Sequence, residues 1–198
     1  MIKMNLKIYE KEIEGVHILY ADVSQLDTEK HYPDISDYRR DKLSRLKRDS
    51  AKKLSLGAEL LLIFALKKYC PSVNIPFRAT LDINGKPCID GVHFNISHAG
   101  NVAVCAVADT EVGVDIERSD RSSNAIAEKY FNETELNYSF SYIWTRKEAV
   151  LKADGRGIAY GLKNIDVTKD IVETDGKTYR LISIKPEITG YDIAFCVL

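Results

Sequence analysis

The sequence predicts an α+β protein in which one unit of strands and helix occurs twice. Several short segments alternate apolar and polar residues with a period of two, which is typical of strands. Two longer segments, 36–69 and 133–154, have the apolar spacing of helices instead. Residues 102–106 resemble residues 193–197, an offset of 91 that Gly85-Lys86 and Gly176-Lys177 share. We therefore expect a pseudo-twofold duplication of an α/β unit with a cleft between the halves, namely residues 1–108 and 109–198.

The elements of the first half follow from local patterns. Residues 15–23 alternate like a strand, and the helical pattern of 36–69 is first basic and then apolar until Pro71 ends it. An Asn84-Gly85 turn predicts a hairpin. Short apolar strands are expected on both sides of a His98–Asn101 turn. The strands predicted around these two turns cover 77–83, 87–89, 93–96 and 102–107.

The second half begins with a strand over 111–117. Two helices are expected next, and the chain then closes with strands. The first two of these strands are short, and Asp175-Gly176 joins the second strand to the third. The predicted helices are 123–130 and 133–154, and the predicted strands are 163–168, 170–174, 178–184 and 191–197.

Composition excludes several classes of protein. Among 198 residues, 45% are hydrophobic and 29% charged, and the net charge of −1 gives no overall field for nucleic acid or membrane. We expect neither a secretory leader nor a membrane span, because no apolar run is long enough. The four cysteines form no CxxC pair, which favours buried free thiols and a cytoplasmic protein. These cysteines are Cys70, Cys88, Cys105 and Cys196.

Two acidic residues share one face of the strand Glu111-Val-Gly-Val-Asp-Ile-Glu117. Asp115 and Glu117 alternate with apolar residues, and two strand steps place their Cα atoms about 6.6 Å apart. One cation could therefore contact both side chains. Oxygen ligands of this kind suit Mg²⁺ or Mn²⁺ rather than zinc. The alternative is an edge strand whose carboxylates are merely solvated.

A helix led by Trp144 carries a third acid and a lysine. Glu148 and Lys152 stand at positions i and i+4 and so share a face. They could form only a surface salt bridge of small energy. Gly155 and Gly157 follow directly and favour a functional interpretation, because glycines let the backbone approach a ligand.

Three further segments could bind phosphate. Ser97 and His98 are predicted at a strand end, where hydroxyl, imidazole and backbone N–H groups can hold an anion. Lys86 lies in a tight turn before Pro87. The stretch 38–53 carries eight Lys or Arg and two acids, which indicates a solvated face or a patch for an acidic or phosphorylated partner. No aromatic interleaving supports nucleic-acid binding.

Taken in order, these motifs resemble the Sfp-like 4′-phosphopantetheinyl transferases. The resemblance rests on four segments and extends loosely from about Arg39 to the C-terminus. The last two segments, at their separation, are specific, whereas the first alone is weak. The segments are Gly85-Lys86-Pro87, Phe94-Asn-Ile-Ser-His98, Gly113-Val-Asp-Ile-Glu117 and Trp144 through Gly157.

The resemblance implies a fold, a reaction and a metal site. The fold would be the pseudo-twofold α+β duplication of that family. The reaction would move the 4′-phosphopantetheine arm of coenzyme A onto a serine hydroxyl of an apo acyl- or peptidyl-carrier protein and release 3′,5′-ADP. Asp115, Glu117 and Glu148 would hold Mg²⁺, and Glu148 or a metal-bound water would take the serine proton. Lys152 would stabilise charge on the phosphate oxygens.

The resemblance also implies how the two substrates bind. Ser97 and His98 would contact phosphate, and Lys86 with Pro87 would border the adenine. A pair of basic residues should grip the 3′-phosphate. Arg39 and Lys42 have the right spacing, but a gapless alignment from Gly57 places Tyr38 and Asp41 there. The first half would thus bind the nucleotide, and the second half would hold the metal and catalytic helix.

The same resemblance bears on partners. The segment after Gly155 would help to dock the acidic helix of the carrier. The length favours a monomer. No nucleic-acid or membrane partner is expected.

Three functional hypotheses remain open at the level of sequence. The first is an active transferase. The second is a relative that binds coenzyme A or a carrier protein without turnover, and the third is a magnesium-dependent phosphohydrolase that uses the same acids. Whether the carrier serves fatty acid, polyketide or nonribosomal peptide synthesis is also open.

Overall fold

A computed structural model describes residues 6–82, 85–155, 161–174 and 176–198 of the chain. The chain divides into two compact units, Met1–Asp109 and Thr110–Leu198. Both units combine helices with antiparallel strands. The predicted α+β class is therefore confirmed.

The first unit is built on a four-stranded antiparallel sheet with the order β1-β2-β6-β5. The other two strands form a small separate ribbon. The six strands are β1 (Tyr9–Ile13), β2 (Val16–Asp22), β3 (Thr80–Leu81), β4 (Pro87–Cys88), β5 (His93–Ala99) and β6 (Val102–Ala108).

The long helix of the first unit covers one face of this sheet. The unit has three α-helices, α1 (Thr28–His31), α2 (Asp37–Arg45) and α3 (Asp49–Tyr69). Most apolar side chains of α3 are buried, Leu56 and Leu60 completely, and the helix packs against β2, β5 and β6. The continuous helical pattern predicted over 36–69 is thus two helices, because the backbone at Leu46 is extended with ψ of 129°.

The turns of the first unit differ in part from the prediction. Strand β5 continues through His98 to Ala99, so the turn is only Gly100-Asn101, and Gly100 takes a positive φ of 55°. Strand β1 was not predicted; it pairs with β2 through a Glu14-Gly15 turn. The predicted hairpin has only two residues in each strand, and its turn residue Asn84 lies outside the described residues.

The second unit also has a four-stranded antiparallel sheet, with the order β7-β10-β9-β8. Its long helix packs against β7, β10 and β9. The strands are β7 (Val112–Arg118), β8 (Ile171–Thr174), β9 (Lys177–Ile184) and β10 (Tyr191–Val197). The helices are α4 (Asn124–Tyr130) and α5 (Phe140–Asp154), with short 3₁₀ helices at Glu135–Asn137 and Leu162–Asn164.

The strand predicted over 163–168 is wrong. Its apolar residues Ile165 and Val167 are buried, which explains the alternating pattern. Their carbonyl oxygens, however, accept hydrogen bonds from the side chains of Lys147 and Arg146 on α5 instead of from a neighbouring strand. The helix predicted to begin at 133 begins at Phe140, because a 3₁₀ turn precedes it.

Two other expectations concern thiols and membranes. All four cysteines are free, and Cys105 and Cys196 are buried, which raises the pKa of both thiols far above the usual value. Throughout the part of the chain that the structure describes, no helix has both the length and the apolar character needed to cross a bilayer.

Candidate active site

Strand β7 turns its acidic face toward helix α5. Gly113 makes this close approach possible, because a Cβ atom there would lie 2.1 Å from the Ala149 carbonyl oxygen. Asp115 and Glu117 follow on the same face of the strand. They are only 6% and 8% exposed. Strand β7 does lie at the edge of its sheet, as the alternative had it, but its carboxylates are buried rather than solvated.

Helix α5 brings Lys152 and Glu148 to these acids. The Lys152 ammonium donates a hydrogen bond of 2.6 Å to Oδ1 of Asp115 and one of 3.3 Å to the Val114 carbonyl oxygen. Glu148 lies one turn earlier on the helix and is half-buried. Lys152 therefore bonds across from the helix to the strand, rather than forming only the surface pair with Glu148.

Arg121 is part of this cluster, although no motif of the sequence indicated it. It follows β7 by three residues, and its Nη1 forms an ion pair with Oε2 of Glu117. Its guanidinium carbon also lies 5.5 Å from the ring centroid of Phe140 and 5.9 Å from that of Trp144. The backbone N–H of Arg118 donates to the other oxygen of Glu117 at 2.9 Å. Both carboxylate oxygens of Glu117 are thus engaged.

The charges of the cluster act on Glu148. Burial raises the pKa of its carboxyl group above the ordinary glutamate value, and the negative charge of Asp115 raises it further. The positive charges of Lys152 and Arg121 oppose this effect. Glu148 is therefore a better proton acceptor once ionised than an exposed glutamate would be.

The donor chemistry of the cluster fits a hard divalent cation. Asp115, Glu117 and Glu148 offer only carboxylate oxygens, which Mg²⁺ and Mn²⁺ prefer. In the described residues, however, no group of three or more acidic, histidine or cysteine side chains has gathered at metal-binding distance. Asp115 and Glu117 instead each contact a protein cation, Lys152 and Arg121 respectively.

The residues predicted to bind the nucleotide lie on several elements of the first unit. Ser97 and His98 are adjacent in β5 and so point to opposite faces, Ser97 being buried and His98 exposed. Pro87 begins β4, and the backbone N–H of Lys86 donates to the Asp82 carboxylate at 2.8 Å.

The two candidate basic residues differ in their surroundings. Arg39 is only 3% exposed, and its Nε donates to Oε2 of Glu59 at 2.7 Å. Its Nη1 also donates to the Ser55 hydroxyl at 2.9 Å. Lys42, one turn later on α2, is exposed.

Two buried cations fix helix α5 in its unit. The Lys147 ammonium is fully buried, pairs with Oε1 of Glu135 at 2.8 Å and donates to the carbonyl oxygens of Leu162 and Ile165. Arg146 donates to the carbonyl oxygens of Val167 and Lys169. These bonds connect α5 to the segments before and after it and set the position of the helix. The motif included both residues but gave no sign of this role.

The comparisons with known proteins now identify the family. The sequence model of the 4′-phosphopantetheinyl transferase superfamily matches residues 111–196, which contain β7 and α5. The 4′-phosphopantetheinyl transferase gsp of Aneurinibacillus migulanus is 34% identical over 167 residues, which are 73% of this chain and 68% of that protein. The chain belongs to the 4′-phosphopantetheinyl transferase superfamily.

Other members of the superfamily are similar to the chain as well. The 4′-phosphopantetheinyl transferase Sfp of Bacillus subtilis is 28% identical over 168 residues, which are 77% of this chain and 75% of that protein. The 4′-phosphopantetheinyl transferase psf-1 of Bacillus pumilus is 38% identical over 112 residues, which are 50% of this chain and 47% of that protein. The family and the transferase class predicted from the motifs are confirmed.

Proposed function

We propose that the chain transfers the 4′-phosphopantetheine arm of coenzyme A to a serine hydroxyl of an apo acyl- or peptidyl-carrier protein and releases 3′,5′-ADP. The observation that carries this proposal is the cluster of Asp115, Glu117, Glu148 and Lys152. It joins one strand and one helix within the segment that matches the family model.

Asp115, Glu117 and Glu148 would hold a Mg²⁺ ion, with Mn²⁺ as a substitute. The bound ion would neutralise charge on the diphosphate of coenzyme A. The fit rests on the carboxylate donor set. Asp115 and Glu117 each contact a protein cation, Lys152 and Arg121 respectively, and the ion would compete with these cations for the carboxylates.

Glu148 and Lys152 would act in the transfer itself. Glu148 would take the proton of the serine hydroxyl, directly or through a metal-bound water. The serine oxygen would then bond to the phosphorus that carries the pantetheine arm, and 3′,5′-ADP would leave with the bridging oxygen. The Lys152 ammonium would stabilise the charge on the phosphate oxygens.

The first unit would bind the nucleotide. Ser97 and His98 would contact phosphate, and Lys86 with Pro87 would border the adenine. Of the two basic candidates, Lys42 suits direct contact with the 3′-phosphate, because it is exposed. Arg39 would stabilise the position of α2 through its buried ion pair with Glu59.

We also propose that the two units arose by duplication. In each unit one strand, β2 or β7, precedes the long helix, and the last two strands of the unit form a hairpin. The last strand of the hairpin lies between its hairpin partner and the strand before the helix, which gives the order β2-β6-β5 in one unit and β7-β10-β9 in the other. The offset of 91 pairs Cys105 of β6 with Cys196 of β10. The cleft predicted between the halves remains a prediction.

This correspondence explains why a single site would serve the molecule. Leu19 pairs with Cys105, and Gly113 pairs with Cys196. Counting from these pairs, Ala21 and Val23 occupy the positions of Asp115 and Glu117. The metal site would therefore belong to the second half, and the first half would be free to bind nucleotide.

The partner would be a carrier protein with an acidic recognition helix, and the enzyme would act as a cytoplasmic monomer. The basic residues of the chain would provide charge complementarity. The segment predicted to dock the carrier begins after Gly155, and residues 156–160 lie outside the described residues. Its role stays a prediction.

The direct test is transfer to carrier proteins. The enzyme is incubated with coenzyme A, Mg²⁺ and a competing panel of apo carriers from fatty acid, polyketide and nonribosomal peptide systems. A mass gain of one phosphopantetheine on the carrier serine supports transfer, and the fastest carrier identifies the class of partner. Tight binding without a mass gain would instead indicate a binding protein. Cleavage of coenzyme A without any carrier would indicate a phosphohydrolase.

Two variants test the assigned roles in the same assay. Asp115→Ala should abolish transfer while leaving the circular dichroism spectrum unchanged. Lys152→Ala should lower kcat by about 100-fold or more with a smaller change in the KM for coenzyme A, because it acts on developing charge. Near-normal rates in Asp115→Ala would refute the metal assignment.

A further inference from the structure

Arg121 combines an ion pair with contacts to two aromatic rings. Its guanidinium pairs with Oε2 of Glu117, while Oε1 of Glu117 accepts the backbone N–H of Arg118. Its guanidinium carbon also lies within 6 Å of the ring centroids of Phe140 and Trp144, which are at the start of α5. The side chain is 39% exposed, so one side of it meets solvent.

The pair with Glu117 competes with a metal ion for the same oxygen. The guanidinium and a divalent cation are both positive, so they repel each other when both contact Oε2 of Glu117. Glu117 therefore binds a divalent ion through Oε2 more tightly once Arg121 has moved away. The measured metal affinity then reflects the fraction of molecules in which the pair is open.

The guanidinium lies near both aromatic rings while it is paired with Glu117, so the rings offer a surface on which it can move away from Glu117. Arginine stacks on aromatic faces while its N–H groups remain available, and its planar fork matches phosphate oxygens. Phe140 and Trp144 stack on each other with ring centroids 5.9 Å apart, so they form a continuous surface. Arg121 can therefore leave Glu117 without leaving the site.

We propose that Arg121 holds Glu117 until a divalent cation binds, and then turns its guanidinium from Glu117 to the diphosphate of coenzyme A. This inference rests on the proposed function, because it uses the same metal and the same substrate. It adds a positioning residue for Glu117 and a second cation for the diphosphate beside Lys152.

The test compares Mn²⁺ binding with transfer. Free Mn²⁺ is measured by electron paramagnetic resonance in titrations without coenzyme A, for the wild type, Arg121→Met, Arg121→Lys and Arg118→Met. We expect Arg121→Met to bind Mn²⁺ about three- to tenfold more tightly, because the competing charge is gone. Its kcat/KM for coenzyme A should fall about tenfold or more. Arg121→Lys should lie between wild type and Arg121→Met in both measurements.

Arg118→Met is the matched control. The Arg118 side chain pairs with Asp120. Its removal takes away a positive charge near Glu117 but leaves the pair of Glu117 with Arg121, so both measurements should change much less than in Arg121→Met. A residue that merely stabilises the fold would weaken Mn²⁺ binding and transfer together and lower the unfolding temperature. Unchanged or weaker Mn²⁺ binding in Arg121→Met, or unchanged transfer, would overturn the proposal.

The outcomes for Arg121 and for the proposed function are separable. If the wild type binds Mn²⁺ but modifies no carrier, the proposed function fails, and the proposed contact of Arg121 with the diphosphate fails with it. The Mn²⁺ titrations of Arg121→Met would still decide whether Arg121 competes for Glu117. Absence of Mn²⁺ binding by the wild type would overturn the role of Arg121 outright.

Discussion

At the scale of single residues, the described side chains of the site include three acids, Asp115, Glu117 and Glu148, and two cations, Lys152 and Arg121. Asp115 has Lys152 and Glu117 has Arg121, whereas burial and the charge of Asp115 both disfavour the ionised form of Glu148. A buried carboxylate close to a like charge destabilises the folded protein until a ligand of opposite charge binds. Such groups cluster at functional sites. Glu148 should therefore reduce the stability of the protein when no divalent cation is bound.

Replacing this carboxylate tests that expectation. Glu148→Gln keeps the shape of the side chain and removes its charge, so at neutral pH without divalent cations we expect an unfolding temperature about 1–3 °C above that of the wild type. Calorimetry at several pH values measures the difference. Transfer activity should be lost, because glutamine cannot accept the serine proton.

The sign of the pH dependence follows from linkage. Because the pKa of Glu148 is raised in the folded state, this residue does not lower the free energy of unfolding at a pH below the ordinary glutamate pKa. The reduction in the free energy of unfolding grows as the pH rises through the folded-state pKa. The advantage of Glu148→Gln should therefore vanish in acid and be greatest at neutral pH. Adding Mg²⁺ should stabilise the wild type more than the variant. A variant that is less stable than wild type at neutral pH would contradict this account.

At the scale of elements, the contact between β7 and α5 determines the geometry of the site. A side chain at Gly113 would meet the backbone of α5, since its Cβ atom would lie 2.1 Å from the Ala149 oxygen and 2.4 Å from the Ala153 nitrogen. Backbone atoms of a packed helix cannot rotate away. The strand and helix can therefore approach closely only with glycine at this position.

Gly113→Ala should destabilise the protein by about 2 kcal/mol or more and reduce transfer, because α5 must shift away from Asp115. Denaturant unfolding and the carrier assay measure the two effects. Gly57→Ala is the contrasting variant, for which the losses of stability and of transfer should both be smaller. Its Cβ would meet only the side chain of Val23, at 2.4 Å from Cγ1, and alanine favours the helix by about 1 kcal/mol. Equal losses in the two variants would argue against the importance of the β7–α5 contact.

At the scale of the whole molecule, two units of related topology carry different side chains. Ala21 and Val23 take the positions in the first unit that Asp115 and Glu117 take in the second. Glu59 of α3 stands 89 residues before Glu148 and is bonded to Arg39 and to the backbone N–H of Ser36. The glutamate of the first unit thus has a structural task.

This asymmetry predicts one tight divalent cation for each chain. Isothermal titration with Mn²⁺ should give a stoichiometry of about one, and Asp115→Ala should remove that site, because no second pair of acids exists at the corresponding strand positions. Glu59→Gln is the control; it should lower stability and keep the stoichiometry. A second tight site that survives Asp115→Ala would contradict the assignment.

The strands and helices that carry the motifs were predictable because their apolar periodicity reflects which face is buried. The strand over 111–117 and the terminal strand over 191–197 were found almost to the residue. Residues 163–168 misled the prediction, since Ile165 and Val167 are buried by contact with α5 and not within a sheet. A periodic pattern reports burial, and it does not report which donor satisfies the backbone.

The sequence by itself determined the family and the α+β class. It also indicated the acids of β7 and α5 and the lysine of α5 as candidate site residues. Such features depend on residue types at fixed spacings along the chain, which need no knowledge of distant contacts. Only the tertiary structure decided that Lys152 bonds to Asp115, that Arg121 bonds to Glu117, and that Arg39 is buried with Glu59. These pairs join residues whose proximity depends on side-chain packing and on the path of the folded chain, and no local pattern encodes it.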